Sequence, residues 1–96
     1  MAVLVDPLRE YPYAALPVRA WCHMAADTSF AELHAFAARL GIPRHRFQGD
    51  HYDLPARLRE RAVALGAEEV QTTELLRRMA GPRGDRARRR AARRGR

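Results

Sequence analysis

Large apolar side chains stop at Met79, and residues 80–96 contain only Ala, Gly, Pro, Asp and Arg. A segment orders itself by burying enough apolar surface to offset the entropy of its backbone, so the core must be built before that point. Residues 1–80 are therefore expected to form one small α/β domain, and residues 81–96 a disordered Arg-rich tail. With 47% apolar residues, the chain has enough material for a core, unlike a wholly disordered sequence.

The charges divide at the same place. Residues 1–79 hold ten Arg against ten Asp or Glu, whereas residues 80–96 hold eight Arg against Asp85 alone, which together give the formal +7. The domain itself is neutral and offers no basic footprint. The tail residues Arg83, Arg86, Arg88, Arg89, Arg90, Arg93, Arg94 and Arg96 are candidates for sequence-independent contact with nucleic-acid phosphates. Interleaved aromatics are missing, so base stacking is not implied, and a solubilising terminus would have the same composition. Lys is absent, which excludes a Walker phosphate loop; Ala and Arg are abundant throughout, as in the products of GC-rich genomes.

Cys22 is the sole cysteine. It excludes an intramolecular disulfide and fits a reducing compartment, so a cytoplasmic location is expected. The opening MAVLVDP reaches Asp6 and Pro7 too early for the apolar stretch of an export signal, and no run approaches the roughly 20 apolar residues needed to span a bilayer. No membrane association is expected.

Ala2–Val5 is a continuous apolar run ended by Asp6-Pro7, the pattern of a buried strand. Residues 8–17, with Pro12 and Pro17 among tyrosines, read as an irregular loop. Val18 to Met24 alternates, with Val18, Ala20, Cys22 and Met24 opposite Arg19, Trp21 and His23, which predicts a second strand. Ser29 and Glu32 have the spacing of a capping box. Leu33, Phe36, Ala37 and Leu40 then follow helical spacing up to Gly41. His51 to Leu54 reads as a brief strand, and Pro55 suits the first turn of a second helix with Leu58, Ala62 and Leu65 inward and Arg57, Arg59 and Arg61 solvated. A short strand near 69–71 and a last helix capped by Thr73, carrying Leu75, Leu76 and Met79, complete the domain. The expected fold is α/β: a sheet of three to four short strands with at least one parallel pair, flanked by three helices.

The chain thus carries AVLVD, HMAADTSFAELHAFAARLGIPRHRF, GDHYDL and ALGAEEVQTTELLRRM in that order. This series resembles the domain of unknown function 4031, a family of short proteins from bacteria and their phages, over roughly residues 1–79. The proline-rich segment before Trp21 and the arginine run after Met79 depart from the family pattern. The resemblance implies a domain boundary and no particular reaction, so function must be sought in the residues.

Asp6, His23, Asp27, His51 and Asp53 are the candidate site residues. Each falls within or just after a predicted strand, and open α/β sheets collect ligands at the carboxyl ends of parallel strands. Extended backbone would point His51 and Asp53 to one side, and imidazole with carboxylate is a donor set for a divalent metal. The plainer use of the same residues is as turn, cap and hydrogen-bonding groups. His34, on the flank of its helix, fits a structural hydrogen bond, and Cys22 fits a buried inert thiol pointing away from His23. Ser29 lies in no nucleophile elbow. Two functions follow: a small metal-dependent hydrolase or nuclease acting on a phosphoester, or a non-enzymatic protein that contacts nucleic acid through its tail.

Overall fold

A computed structural model describes residues 2–10 and 20–95. Val3–Val5 forms strand β1, buried along its whole length. Val3 and Val5 enter one apolar cluster and Leu4 another, which explains why this strand reads as a continuous apolar run instead of an alternating one. Arg9–Glu10 forms a two-residue strand, β2, and Ala20–Ala26 forms β3. Part of the segment expected to be loop is thus paired; residues 11–19, which include the expected strand start at Val18, lie outside the described residues.

β3 organises the sheet. Tyr52–Pro55 (β4) runs antiparallel along one edge, with His23 opposite Asp53. Along the other edge lie β1, with Val5 opposite Met24, and β2, with Arg9 opposite Trp21, both antiparallel. Four steps from Val5 to Arg9 answer three on β3, so one extra residue bulges out at Asp6-Pro7-Leu8, where Pro7 has no N–H for the ladder. Glu68–Glu69 (β5) pairs with β1 in parallel, the one parallel pair among the described strands. Among the described residues the sheet therefore has five strands and is mostly antiparallel.

Helices cover both faces. Phe30–Arg39 (α1) and Ala56–Ala64 (α2) supply Leu33, Ala37 and Ala62 to a cluster with Val5, Cys22, Met24, Tyr52 and Leu54. The Ser29 hydroxyl caps α1 by accepting the Glu32 amide at 3.1 Å. No return half of the capping box is seen among the described residues, where Glu32 Oε1 is buried without a hydrogen-bond partner. Leu65, the C-cap of α2, faces solvent, and within the helix Val63 joins Leu58 against the core. The opposite face of the sheet, with Leu4 and Ala25, is covered by Leu75 of Thr72–Arg78 (α3) and by Met79, the C-cap of that helix. Gln71, not Thr73, occupies the N-cap of α3.

The arginine segment departs most from expectation. Pro82–Arg94 is a helix, α4, so the described residues form four α-helices, and α4 packs against α3 where a disordered tail was expected. Pro82 supplies helical φ at the first position, and Asp85 in the first turn with Arg93 and Arg94 in the last complement the helix dipole. The docked stripe is Gly84, Ala87, Arg88 and Ala91. Gly84 is buried so close to the end of α3 that a Cβ there would lie 1.8 Å from the Met79 carbonyl oxygen. Arg88 Nη1 donates to the carbonyls of Arg77 at 2.8 Å and Met79 at 3.0 Å, satisfying acceptors that the end of α3 leaves open.

Candidate metal centre

β3 and β4 bring His23 and Asp53 face to face across the ladder. His51 lies two residues before Asp53 and projects to the same side. One donor atom from each of His23, His51 and Asp53 falls within 4.8 Å of the other two. The His23 and His51 rings meet edge to face at 5.3 Å, and His51 Nε2 lies 3.3 Å from Asp53 Oδ1. Asp53 Oδ2 also accepts from Gln48 Nε2 at 2.8 Å.

Each imidazole is held from behind by a second carboxylate. Asp6, only 1% exposed, accepts the His23 amide on Oδ1 at 2.6 Å and pairs through Oδ2 with His23 Nδ1 at 2.8 Å. The Thr72 hydroxyl, at the start of α3, donates to the same Oδ2 at 2.9 Å. Arg59 Nε donates to the Asp6 carbonyl at 2.8 Å and Arg59 Nη1 to Glu69 Oε1 at 3.0 Å, so this expected surface arginine braces the bulge. On the other side, Asp50 Oδ1 pairs with His51 Nδ1 at 2.7 Å. Arg83 of α4 grips Asp50 with Nε at 2.7 Å and Nη2 at 2.8 Å. With both Nδ1 atoms taken by carboxylates, the Nε2 atoms are left for a ligand, an arrangement that fixes the orientation and raises the donor strength of metal-binding histidines.

The electrostatics follow this layout. Burial pushes the Asp6 carboxyl upward, but its hydrogen bonds from His23 and Thr72 outweigh that and hold it below its ordinary value. Asp50 is likewise raised by burial and brought lower by Arg83 and His51. Asp53 is lowered chiefly by its hydrogen bond with His51. His51 is raised, first by Asp53 and then, against the opposing effect of burial, by Asp50.

Asp27 is elsewhere. β1 and β3 run antiparallel, so their carboxyl ends, followed by Asp6 and Asp27, lie at opposite ends of the strand pair; the expectation of a common end assumed parallel strands. Asp27 accepts from the Ala2 amide at 2.8 Å and the Thr28 hydroxyl at 2.9 Å, and lies 3.6 Å from Arg78. His34 is hydrogen-bonded to the Tyr52 hydroxyl at 2.8 Å and packed on Phe47. Cys22 is buried among the apolar residues of the other face, where burial pushes its thiol up to about 12. Sequence reading missed Asp50, Thr72, Arg59 and the link from Arg83. Only Asp50, adjacent to His51, carried a local signal.

Among the tail arginines, Arg83 is committed to Asp50 and Arg88 to Asp85 and the α3 carbonyls. Arg86, Arg89, Arg90, Arg93 and Arg94 are exposed and make no ion pair among the described residues; Arg96 lies outside them.

Residues 3–81 match the family described as "Protein of unknown function (DUF4031)". The chain belongs to the DUF4031 family. The matched region contains all of the clustered residues from Asp6 to Thr72 and ends just before α4, so Arg83 reaches into the DUF4031 domain from outside the matched span. No curated protein and no solved structure matches the chain. Among the described residues no helix is long and apolar enough to cross a membrane.

Proposed function

We propose that this DUF4031 protein is a small metal-dependent hydrolase or nuclease acting on a phosphoester, with a divalent metal held by His23, His51 and Asp53. One observation carries the reading: two imidazoles and a carboxylate converge from β3, from β4 and from the residue just before β4, with a carboxylate behind each imidazole. Three protein ligands with a remaining open position are the composition of a catalytic site for zinc or a similar ion. Bound there, the metal would activate water and stabilise charge on a phosphoryl oxygen.

The chain's own residues set the conditions. Asp6 fixes the His23 ring through Nδ1, while Thr72 and the His23 amide fix Asp6. Asp50, held by Arg83, does the same for His51. His23 and Asp53 keep about a third of their side-chain surface, at 33% and 35%, so the cluster is open to substrate on that side.

Calorimetric titration of the metal-free protein with manganese and zinc tests the site, and release of nitrophenol from a nitrophenyl phosphodiester tests the reaction. Wild type is expected to bind at least one of the two ions. His51→Ala and Asp53→Asn should weaken binding by about 100-fold or more, because each removes a ligand, and Asp27→Asn should leave it unchanged. Folded wild type that binds neither ion removes the metal site. Metal binding without hydrolysis of any phosphoester removes the reaction and keeps the site.

A further inference from the structure

The inference rests on the proposed hydrolase and names its substrate class. α3 and α4 form a helical hairpin whose two members enclose a shallow groove, lined by Arg77, Arg90 and Arg94 with Thr73, over a floor that includes Leu76 and Ala87. None of Arg77, Arg90 and Arg94 has an ion pair among the described residues. Along a helix of about 100° per residue, positions 83, 90 and 94 fall within about 40° of one another. The flank that presents Arg90 and Arg94 to the groove is thus the flank from which Arg83 reaches Asp50, behind His51. We infer that this groove holds the sugar–phosphate backbone of a nucleic-acid strand and leads it along the Arg83 flank of α4 toward the His23–His51–Asp53 cluster.

The charge pattern on the rest of α4 supports an anionic polymer as occupant. Arg86 and Arg90, Arg89 and Arg93, and Arg90 and Arg94 are pairs at i, i+4, a spacing at which like charges destabilise a helix. Asp85 is the one acid on α4, and it is already paired with Arg88. A ligand with anions at regular intervals relieves that repulsion along the whole helix. From Arg83 to Arg94 the axial distance is about 16 Å, the rise of about five nucleotides of one strand. A membrane surface fits less well, because α4 has no apolar side chain larger than Ala or Pro, and a helix that lies in the interface needs a substantial apolar face. The DUF4031 cluster would then stand at one end of a basic track, with the phosphodiester as the bond presented to it.

Fluorescence anisotropy of the full chain with short labelled single-stranded and duplex oligonucleotides, in EDTA, separates binding from catalysis. Wild type should bind, and affinity should fall steeply with salt. Arg77→Gln/Arg90→Gln/Arg94→Gln should lose about tenfold or more, with the slope against log salt reduced by about 2 on a single strand for three lost phosphate contacts. Arg86→Gln/Arg89→Gln/Arg93→Gln removes the same charge from the outer face and should lose clearly less. Circular dichroism checks that both fold, and Arg94→Glu, at an exposed position in the last turn, is the single-site alternative. Groove variants that bind like wild type, equal losses from both faces, or preference for anionic phosphatidylserine vesicles over oligonucleotides at one ionic strength would each overturn the groove. Asp27→Asn, at the far end of β3 from the cluster, should bind the oligonucleotide as wild type does. Intact groove-dependent binding with no cleavage under manganese or zinc refutes the hydrolase and leaves the groove standing.

Discussion

Two helices of this protein are held in place by opposite means. α1 is anchored by bulk: Leu33 and Ala37 are fully buried against the sheet, with Phe36 packed beside them. α4 is anchored by lack of bulk. Gly84, Ala87 and Ala91 let its backbone approach α3, and Arg88 and Arg83 then tie it down through a carbonyl pair and a carboxylate. The first kind of docking announces itself as apolar periodicity; the second has the same helical period written in small residues, which a hydrophobicity pattern does not register. A segment without large apolar side chains therefore cannot build a core, yet can still dock on one.

The comparison predicts that the two regions fail in opposite ways. Emptying the α1 contact should cost most: Leu33→Ala, at a site with no exposure, should destabilise by about 3–5 kcal/mol, measured by urea unfolding. Filling the α4 seam comes next. Gly84→Val should cost about 1–3 kcal/mol, because its Cβ meets a backbone oxygen that cannot swing aside. Truncation after Ala80 should cost a similar amount, as it frees Asp50 and uncovers the Met79 carbonyl. If truncation leaves the melting transition unchanged, the seam contributes nothing and α4 is a passive appendage.

How much of this was legible follows the same division. The strand at Val3–Val5, the alternation through Cys22 and Met24, the Ser29 cap and the stops at Gly41 and Gly66 are local signals, and the structure keeps them. Strand order and sense are long-range pairings with no local signature. Asp6 and Asp27 illustrate the limit, since each follows a strand and both look alike in sequence. The antiparallel pairing of β1 with β3 sends one to the cluster and the other to the opposite end of the strand pair. His51 and Asp53 were legible as a pair because alternation within four residues suffices. Arg83 was not, because its partner lies thirty-three residues away.

Acid should separate the two regions by a smaller amount. Asp6, Asp50 and Asp53 are all held below the ordinary 3.8 in the folded protein. Their contribution is present above that value and is lost as pH falls through their folded values. His51 is held above 6.5, so its contribution is present below that value and fades as pH rises through the folded pKa. The metal-free protein should therefore be most stable between 3.8 and 6.5. The arginines of α4 do not titrate in this range, so acid reaches the helix through protonation of Asp50, which releases Arg83. Chemical denaturation across pH, repeated on the protein truncated after Ala80, should show a weaker loss on the acid side for the truncated form. Identical acid limbs would uncouple α4 from the site.

The smallest expected effect on stability has the sharpest consequence for function. Arg83 is 47% exposed and Asp50 14%, so Arg83→Gln breaks a partly solvated pair and should cost about 1 kcal/mol, leaving α4 docked through Gly84 and Arg88. What changes is the field at His51. Arg83 neutralises Asp50, and without it the Asp50 carboxylate acts undiminished on the imidazole Nδ1 at 2.7 Å, so the His51 pKa should rise further. A proton and a metal compete for the same ring, and the metal needs the neutral form. Zinc or manganese affinity should therefore become weaker at pH 7 and recover at higher pH, with the histidine titration followed by NMR moving in step. Arg83→Lys, which keeps the charge and loses the two-pronged grip, should lie between Gln and wild type. Unchanged metal affinity at every pH in Arg83→Gln would mean that α4 docks beside the cluster without tuning it.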